Sequence, residues 1–276
     1  MKHILVLTAM AATLSTPILA HAASLELRNI YANLNVIPED RADIVVDIKA
    51  PDGRLPRPVV SRSGANVMVD GGLNPVHGCS GLHPEHGIDA AGHGWLSHNS
   101  ALTITVHTPR AVKIRANGAI LGDVREAQSL DLDTDGCTRW RIGDVSGPLS
   151  IRQEGAAAIT AGAAGATDLD LSGLTHVDLV SARSLKVDMS GAGKVQLGSV
   201  SGAIDSDLSG LGSVAIASGR ADHVRAEVSG MGGFNLHGSA RDLDAEVSGV
   251  GSVHVDHVEG AVHRSVSGIG HVSVGG

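Results

Sequence analysis

The chain has 276 residues, a net charge of −8 at pH 7, 42% hydrophobic and 18% charged residues, and 36 glycines. The apolar content excludes a disordered chain, the low charge excludes a coiled coil, and the glycine falls far short of the one-third of a collagen. The net acidity disfavours nucleic acid and anionic membranes as partners. The aromatic residues are Tyr31, Trp95, Trp140 and Phe234 alone. A core of this size normally spends many aromatics, so this one must close over small and aliphatic side chains, in a narrow and regular interior.

Residues 1–22 read as a secretory signal peptide. Lys2 and His3 give a polar start, Ile4 to Leu19 is apolar, and Ala20-His21-Ala22 is a small-x-small cleavage site. No later segment approaches the ~20 apolar residues of a membrane span. The expectation is an exported protein, periplasmic or extracellular at the cell surface, with no integral membrane segment and with residues 23–276 as one domain. In an oxidising compartment the two cysteines, Cys79 and Cys137, predict one disulfide. It would close a long loop, worth about 4 kcal/mol on a chain-entropy estimate.

Four segments alternate like strands: Ser24–Val36, Asp43–Lys49, Val59–Asp70 and Ala101–Thr108. They are read as the first three or four turns of a repeat, more divergent than the rest. Between them, residues 71–99 form an insertion rich in Gly, His and Pro, too long for an ordinary turn. Its His77, His83 and His86 are candidate ligands for zinc or copper. The spacing matches no strong zinc signature, and a disulfide would remove Cys79 from any ligand set.

Regular repeats occupy residues 117–274. A tetrapeptide recurs as Ser190-Gly191-Ala192-Gly193, Ser209-Gly210-Leu211-Gly212, Ser229-Gly230-Met231-Gly232, Ser248-Gly249-Val250-Gly251 and Ser267-Gly268-Ile269-Gly270. Ser172-Gly173 is a degenerate copy, and Asn117-Gly118, Asp135-Gly136 and Glu154-Gly155 keep the glycine at the same period of about 19. Five residues after the serine position stand Trp140, Ile159, Val177, Val195, Val214, Phe234, Val253 and Val272. Apolar columns also run one and five before it and seven after it. Period-two alternation inside each copy, with like residues in the same column of successive copies, predicts an all-β, single-stranded parallel β-helix (β-solenoid) with turns of about 19 residues. Nine turns at the ~4.8 Å strand spacing span about 43 Å. The Ser-Gly corners are read as a structural turn ladder. No base repeats beside the serines, so a row of nucleophiles is not indicated.

These copies of Ser-Gly-x-Gly-x-Val-x-Leu, with the strand that follows His107-Thr108-Pro109, resemble the auto-transporter adhesin "head GIN" domain family. The resemblance covers roughly residues 27–274. It implies an exported parallel β-helix with no established catalytic activity, and an adhesin label that rests on architecture.

Two further features belong to the repeat. Two and four places before the serine position, Asp131, Asp133, Asp168, Asp170, Asp188, Asp205, Asp207, Glu227, Asp244 and Glu246 are predicted to share one outward face with Arg152, Lys186 and Arg225. Like charges stacked at strand spacing repel, and the plain role of such a face is solvation. The late histidines (His223, His237, His254, His257, His263, His271) fall in different columns, and no two form a repeated pair. The functional expectation is a non-catalytic exported module, an adhesion or assembly scaffold of the envelope or cell surface. Its partners would be an envelope protein or glycan, and the exposed solenoid ends suggest self-association. The alternative is a polysaccharide-binding or polysaccharide-degrading β-helix.

Overall fold

The structure, a computed structural model, describes residues 23–51, 53–73, 76–79, 84–90 and 92–275, with the backbone alone for 76–79. The signal peptide of residues 1–22 lies outside them. The expected coils are present. β1 (Ala23–Glu39), β2 (Val45–Lys49), β3 (Val59–Ser63) and β4 (Asn66–Asp70) open the chain. β5 (Val76–Cys79), β6 (Ile88–Ala90) and β7 (Gly94–Leu96) form a small separate sheet. β8 (Leu102–Pro109), β9 (Ala111–Val124) and β10 (Ser129–Ile142) lead into the regular stack, which runs to His271–Val274.

Each regular coil has two strand-bearing sides joined at the Ser-Gly corner. Its short third side carries at most single bridges, such as Ala127–Val145 and Val145–Ala164. The stacking is parallel and in register: Trp140 pairs with Ile159, then Val177, Val195, Val214, Phe234, Val253 and Val272. Every member of that column is buried. Alternation explains this, because in a strand every second side chain faces the same way. One coil exposes its inner hydrocarbon above and below, and its neighbours seal it. The two bulkiest members need accommodation. Trp140 packs its ring where Gly122 of the preceding coil has no side chain, and its Nε1 donates to Thr134 Oγ1 at 3.2 Å.

The corner glycines serve close approach more than unusual dihedrals. Gly118 has a φ of 130°, which favours glycine. Gly191 and Gly210 do not have positive φ. A Cβ at either would instead collide with the backbone carbonyl of the glycine one coil below. Stacked turns thus touch backbone to backbone at the corner.

The opening segments depart from the expected divergent turns. β1 is not the outermost coil. Its first half pairs in parallel with β4 on one side and β9 on the other, and its second half with β8 and β9. It is therefore slotted between a coil that follows it in sequence (β4 with β8) and the first regular coil. β2 and β3 are not turns of the solenoid either: they run antiparallel to β8 and β4. The chain reverses at this end, lays two antiparallel strands over the edge, and returns. Arg62 Nη1 donates to Ile44 O at 2.6 Å and ties the covering strands together.

Among the described residues the opposite end has no such cover. Residues Val262–Val266 and His271–Val274 pair only with the coil before them. Arg264 occupies an inward column there, continuing Val187, Ser206, Ala226 and Ala245, and is exposed. An inward-pointing charge on an edge strand is a device that resists edge-to-edge pairing.

Candidate functional site

The acidic face is built as the alternation predicts, and none of its ten carboxylates is buried. Asp170, Asp188, Asp207, Glu227 and Glu246 stand in one column, each paired in register with the next. Cations relieve the early part of the face. Lys113 bonds Asp131, Arg115 lies 3.8 Å from Asp133, and Arg152 Nε donates to Asp170 at 3.1 Å. Lys113 and Arg115 belong to β9, ahead of the copies in which the stripe is legible. Arg225 bridges Asp205 and Glu227. Among the described residues, Asp168, Asp188, Asp207, Asp244 and Glu246 make no ion pair, so most of the unrelieved charge lies on the later coils.

At the corners, Ser190, Ser209, Ser229, Ser248 and Ser267 are exposed. Their backbone N–H groups donate to the carbonyls of Leu171, Met189, Leu208, Val228 and Val247 on the previous coil, at 2.8–3.0 Å. The hydroxyl of Ser209 also donates to Met189 O at 3.4 Å. The bonds therefore run from each serine to the coil's main chain and not from one serine to the next.

The residue between the two corner glycines is a feature that the repeat displayed and that sequence reasoning passed over. Tyr31, Ala119, Cys137, Ala156, Leu174, Ala192 and Leu211 form one register column. Met231, Val250 and Ile269 extend it through the same corner hydrogen bonds, each N–H donating to the glycine carbonyl below at 3.1 Å. The column changes character along its length. Tyr31 and Ala119 are fully buried beneath the insertion, whereas Leu174, Leu211, Met231, Val250 and Ile269 are 52%, 58%, 60%, 58% and 85% exposed. The signal was present in sequence as Leu, Ala, Leu, Met, Val, Ile in one slot. Apolar side chains at a corner cannot turn inward, because the flanking glycines bring the coils too close.

The insertion packs its short 3₁₀ turn, Pro84–His86, against β9 and β10. Tyr31 Oη donates to Pro84 O at 3.1 Å, and Arg139 Nη1 lies 2.9 Å from Glu85 Oε1. Burial, reinforced by the Glu85 carboxylate, pushes the Tyr31 phenol up to about 12. Of the metal-ligand candidates, His83 and the side chain of His77 lie outside the described residues, and His86 ends the 3₁₀ turn. Among the described residues no cluster of three ligating side chains forms. Cys137 is half-buried in β10 and is not a free thiol. The Cys79 side chain is outside the described residues. Trp95 is exposed on β7.

Two of the six late histidines, His237 and His254, meet although they stand in different columns. His254 Nε2 lies 3.1 Å from Asp256 Oδ1, and its Nδ1 lies 2.8 Å from Ser273 Oγ. His237 Nδ1 approaches the same Asp256 oxygen at 3.4 Å, and the two imidazoles meet edge to face at 6.2 Å. Alternation explains the pair, since residues 254 and 256 share the outward face of one strand and Ser273 lies beside His254 in register. The order Ser273–His254–Asp256 is that of a nucleophile, a base and an orienting carboxylate. It sits on a flat face, and neither Ser273 nor His254 lines any of the five grooves described for this molecule. The largest groove, about 710 Å³, follows the short third side between Arg110, Asp144 and Arg183. Arg110 there is bound to Asp40 at 2.6 Å, which lowers the Asp40 carboxyl below its usual range.

The repeat, its corners and its outward columns match a known domain. The profile of the family described as "Putative auto-transporter adhesin, head GIN domain" matches residues 92–276. The chain belongs to this family. The match begins within the insertion and takes in β7 and every regular coil of this head GIN chain, while β1 to β6 lie ahead of it. Among solved structures the chain is similar to a "putative adhesin" from Parabacteroides distasonis, at 12% identity over 92% of each chain with a TM-score of 0.48. It is also similar to one from Bacteroides fragilis, at 14% identity over 92% of each chain with a TM-score of 0.39. Likenesses this distant say nothing of function. No curated protein matches the chain.

Proposed function

We propose that this head GIN chain is a non-catalytic, exported adhesion or assembly module of the envelope or cell surface. One observation carries the reading: from residue 111 onward the coils follow one another through short connections, so each outward column repeats its chemistry at strand spacing over a stiff rod. The five-carboxylate column of Asp170 to Glu246 is the clearest case. Repeated weak contacts on a rigid array add up without any single strong site. Family membership supports the adhesion reading.

Export is part of the proposal. Ala23, the residue that follows the cleavage site Ala20-His21-Ala22, is already buried in β1 and pairs with Val112. No helix among the described residues is long and apolar enough to cross a membrane. A Cys79–Cys137 bridge is also proposed. These are the chain's two cysteines, Cys137 is not free, and β5, which ends at Cys79, packs against β9, the strand paired with the β10 that carries Cys137. It would pin the insertion to the coils.

Self-association through the solenoid ends, expected from sequence, is opposed by both ends. β2 and β3 cover one, and stacking a second copy on the other would bury the Arg264 guanidinium without a partner. Contacts are therefore assigned to the long faces. The test is retention of fluorescently labelled protein on bacterial envelope fractions, with reducing-end release from envelope glycans measured in parallel. Retention without release is expected. No retention overturns the adhesion reading, and release of new reducing ends overturns the non-catalytic one.

A further inference from the structure

The corner residues of the later coils form an exposed apolar ridge. Six residues form it: Leu174, Ala192, Leu211, Met231, Val250 and Ile269, one per coil along about 24 Å at the strand spacing. Glycines flank it within the chain, Gly191 and Gly210 before it and Gly193 and Gly212 after it, and their lack of side chains lets successive coils touch closely beneath the ridge. The molecule already covers this same column once. At Tyr31, Ala119 and Cys137 its own insertion lies on it, which shows that protein packs well there and marks where the bare part begins.

We propose that two copies pair side by side through this ridge, parallel and in register. Three arguments select a second copy. The first is pitch. Any partner that packs along the whole ridge must present groups at the same repeat, and an identical ridge does so. The second is area. The exposed side chains offer on the order of 500–600 Å² of hydrocarbon, at the top of what a monomer's largest patch shows. With the serine and glycine flanks this approaches the ~800 Å² per partner of a standard interface. The third is charge, and it also fixes direction. Beyond the serines on one flank of the ridge stands the acidic column Asp188, Asp207 and Glu227, while His176, Lys194 and Ser213 border the other flank directly. A two-fold axis along the ridge sets the acidic flank of one copy beside the Lys194 flank of its mate. The antiparallel arrangement sets acid against acid. The contact is isologous, so it closes at two copies. The inference stands apart from the adhesion reading, which concerns what the other faces bind.

Sedimentation velocity of the purified protein over a concentration series reads the association. A monomer–dimer equilibrium is expected. Leu211→Asp combined with Met231→Asp should weaken it by at least about 100-fold, as for residues central to an interface. Both side chains are exposed, so the circular dichroism and melting temperature of this variant should be unchanged. Direction is read separately by mild oxidation of Leu174→Cys. In the parallel pair each Cys meets its own counterpart and a covalent dimer forms, whereas an antiparallel pair sets position 174 opposite Ile269 and gives none. A monomer at every concentration up to about 1 mM, where association is worth only ~4 kcal/mol, overturns the proposal. So does a dimer unaffected by the double variant. A dimer lost in the double variant but not cross-linked by Leu174→Cys overturns the parallel register.

Discussion

The two ends of this solenoid solve the same problem in opposite ways. A stack of coils leaves a row of unpaired backbone groups and a hydrocarbon cross-section at each terminus. At the β1 end the chain spends residues 23–101 on the problem: it slots β1 inside the stack, reverses β2 and β3 over the edge, and lays an insertion over the adjoining corner. At the far end it places one charged side chain, Arg264, in a column that is otherwise inward and apolar or small. The first device adds structure, with buried groups such as Tyr31 that depend on it. The second adds none and only makes pairing with another edge costly. The same contrast governs the corner column, which is sealed under the insertion and bare beyond it.

Four substitutions probe this contrast. The largest effect belongs to the sealed region. Trp140→Ala leaves a hole against Gly122 and removes the indole donor from Thr134, and should cost about 3–5 kcal/mol by chemical denaturation. Hydrogen exchange in this variant should reach the global limit in β9 and β10, while residues 262–274 exchange fast in variant and parent alike. Next is Gly210→Ala in the regular stack. A Cβ there meets the carbonyl of Gly191, and the main chain must shift, at a cost of about 2–3 kcal/mol in the same assay. Tyr31→Phe should cost about 1–2 kcal/mol, because Pro84 O loses its donor in a buried site. It also changes the alkaline limb. The folded phenol titrates near 12 against 10.0 unfolded, so the stability it contributes is complete below pH 10 and is lost as pH rises towards 12. The variant should lack that fall, and an unchanged pH profile would rule the phenol out as its source. Smallest in stability is Arg264→Val, within about 0.5 kcal/mol. Its readout is light scattering: end-to-end assemblies should appear that the parent does not form. If none appear, the bare end is protected by something other than this charge.

Much of this molecule is legible in one dimension. Val177, Val195 and Val214 recur at fixed spacing because each must stand over the last, and a period is a property of sequence. The acidic face follows from the same alternation. The slot of β1 was not legible, since Leu25, Leu27 and Leu34 alternate as any strand does and nothing local says which strands lie on either side. The cluster of His237, His254, Asp256 and Ser273 was missed for a different reason. A repeat shows itself through like residues in one column, whereas a contact needs only neighbouring positions on a shared face.

Sequence by itself determined the repeat, the identity of the inward columns and hence the coil, because burying hydrocarbon at period two and restacking it every 19 residues leaves one economical geometry. Tertiary structure alone decided the order of the first coils, the closure of one end and which part of the Tyr31-to-Ile269 column stays in water. Those outcomes depend on contacts between segments far apart in the chain, where many pairings satisfy the same local pattern and only the packed whole distinguishes them.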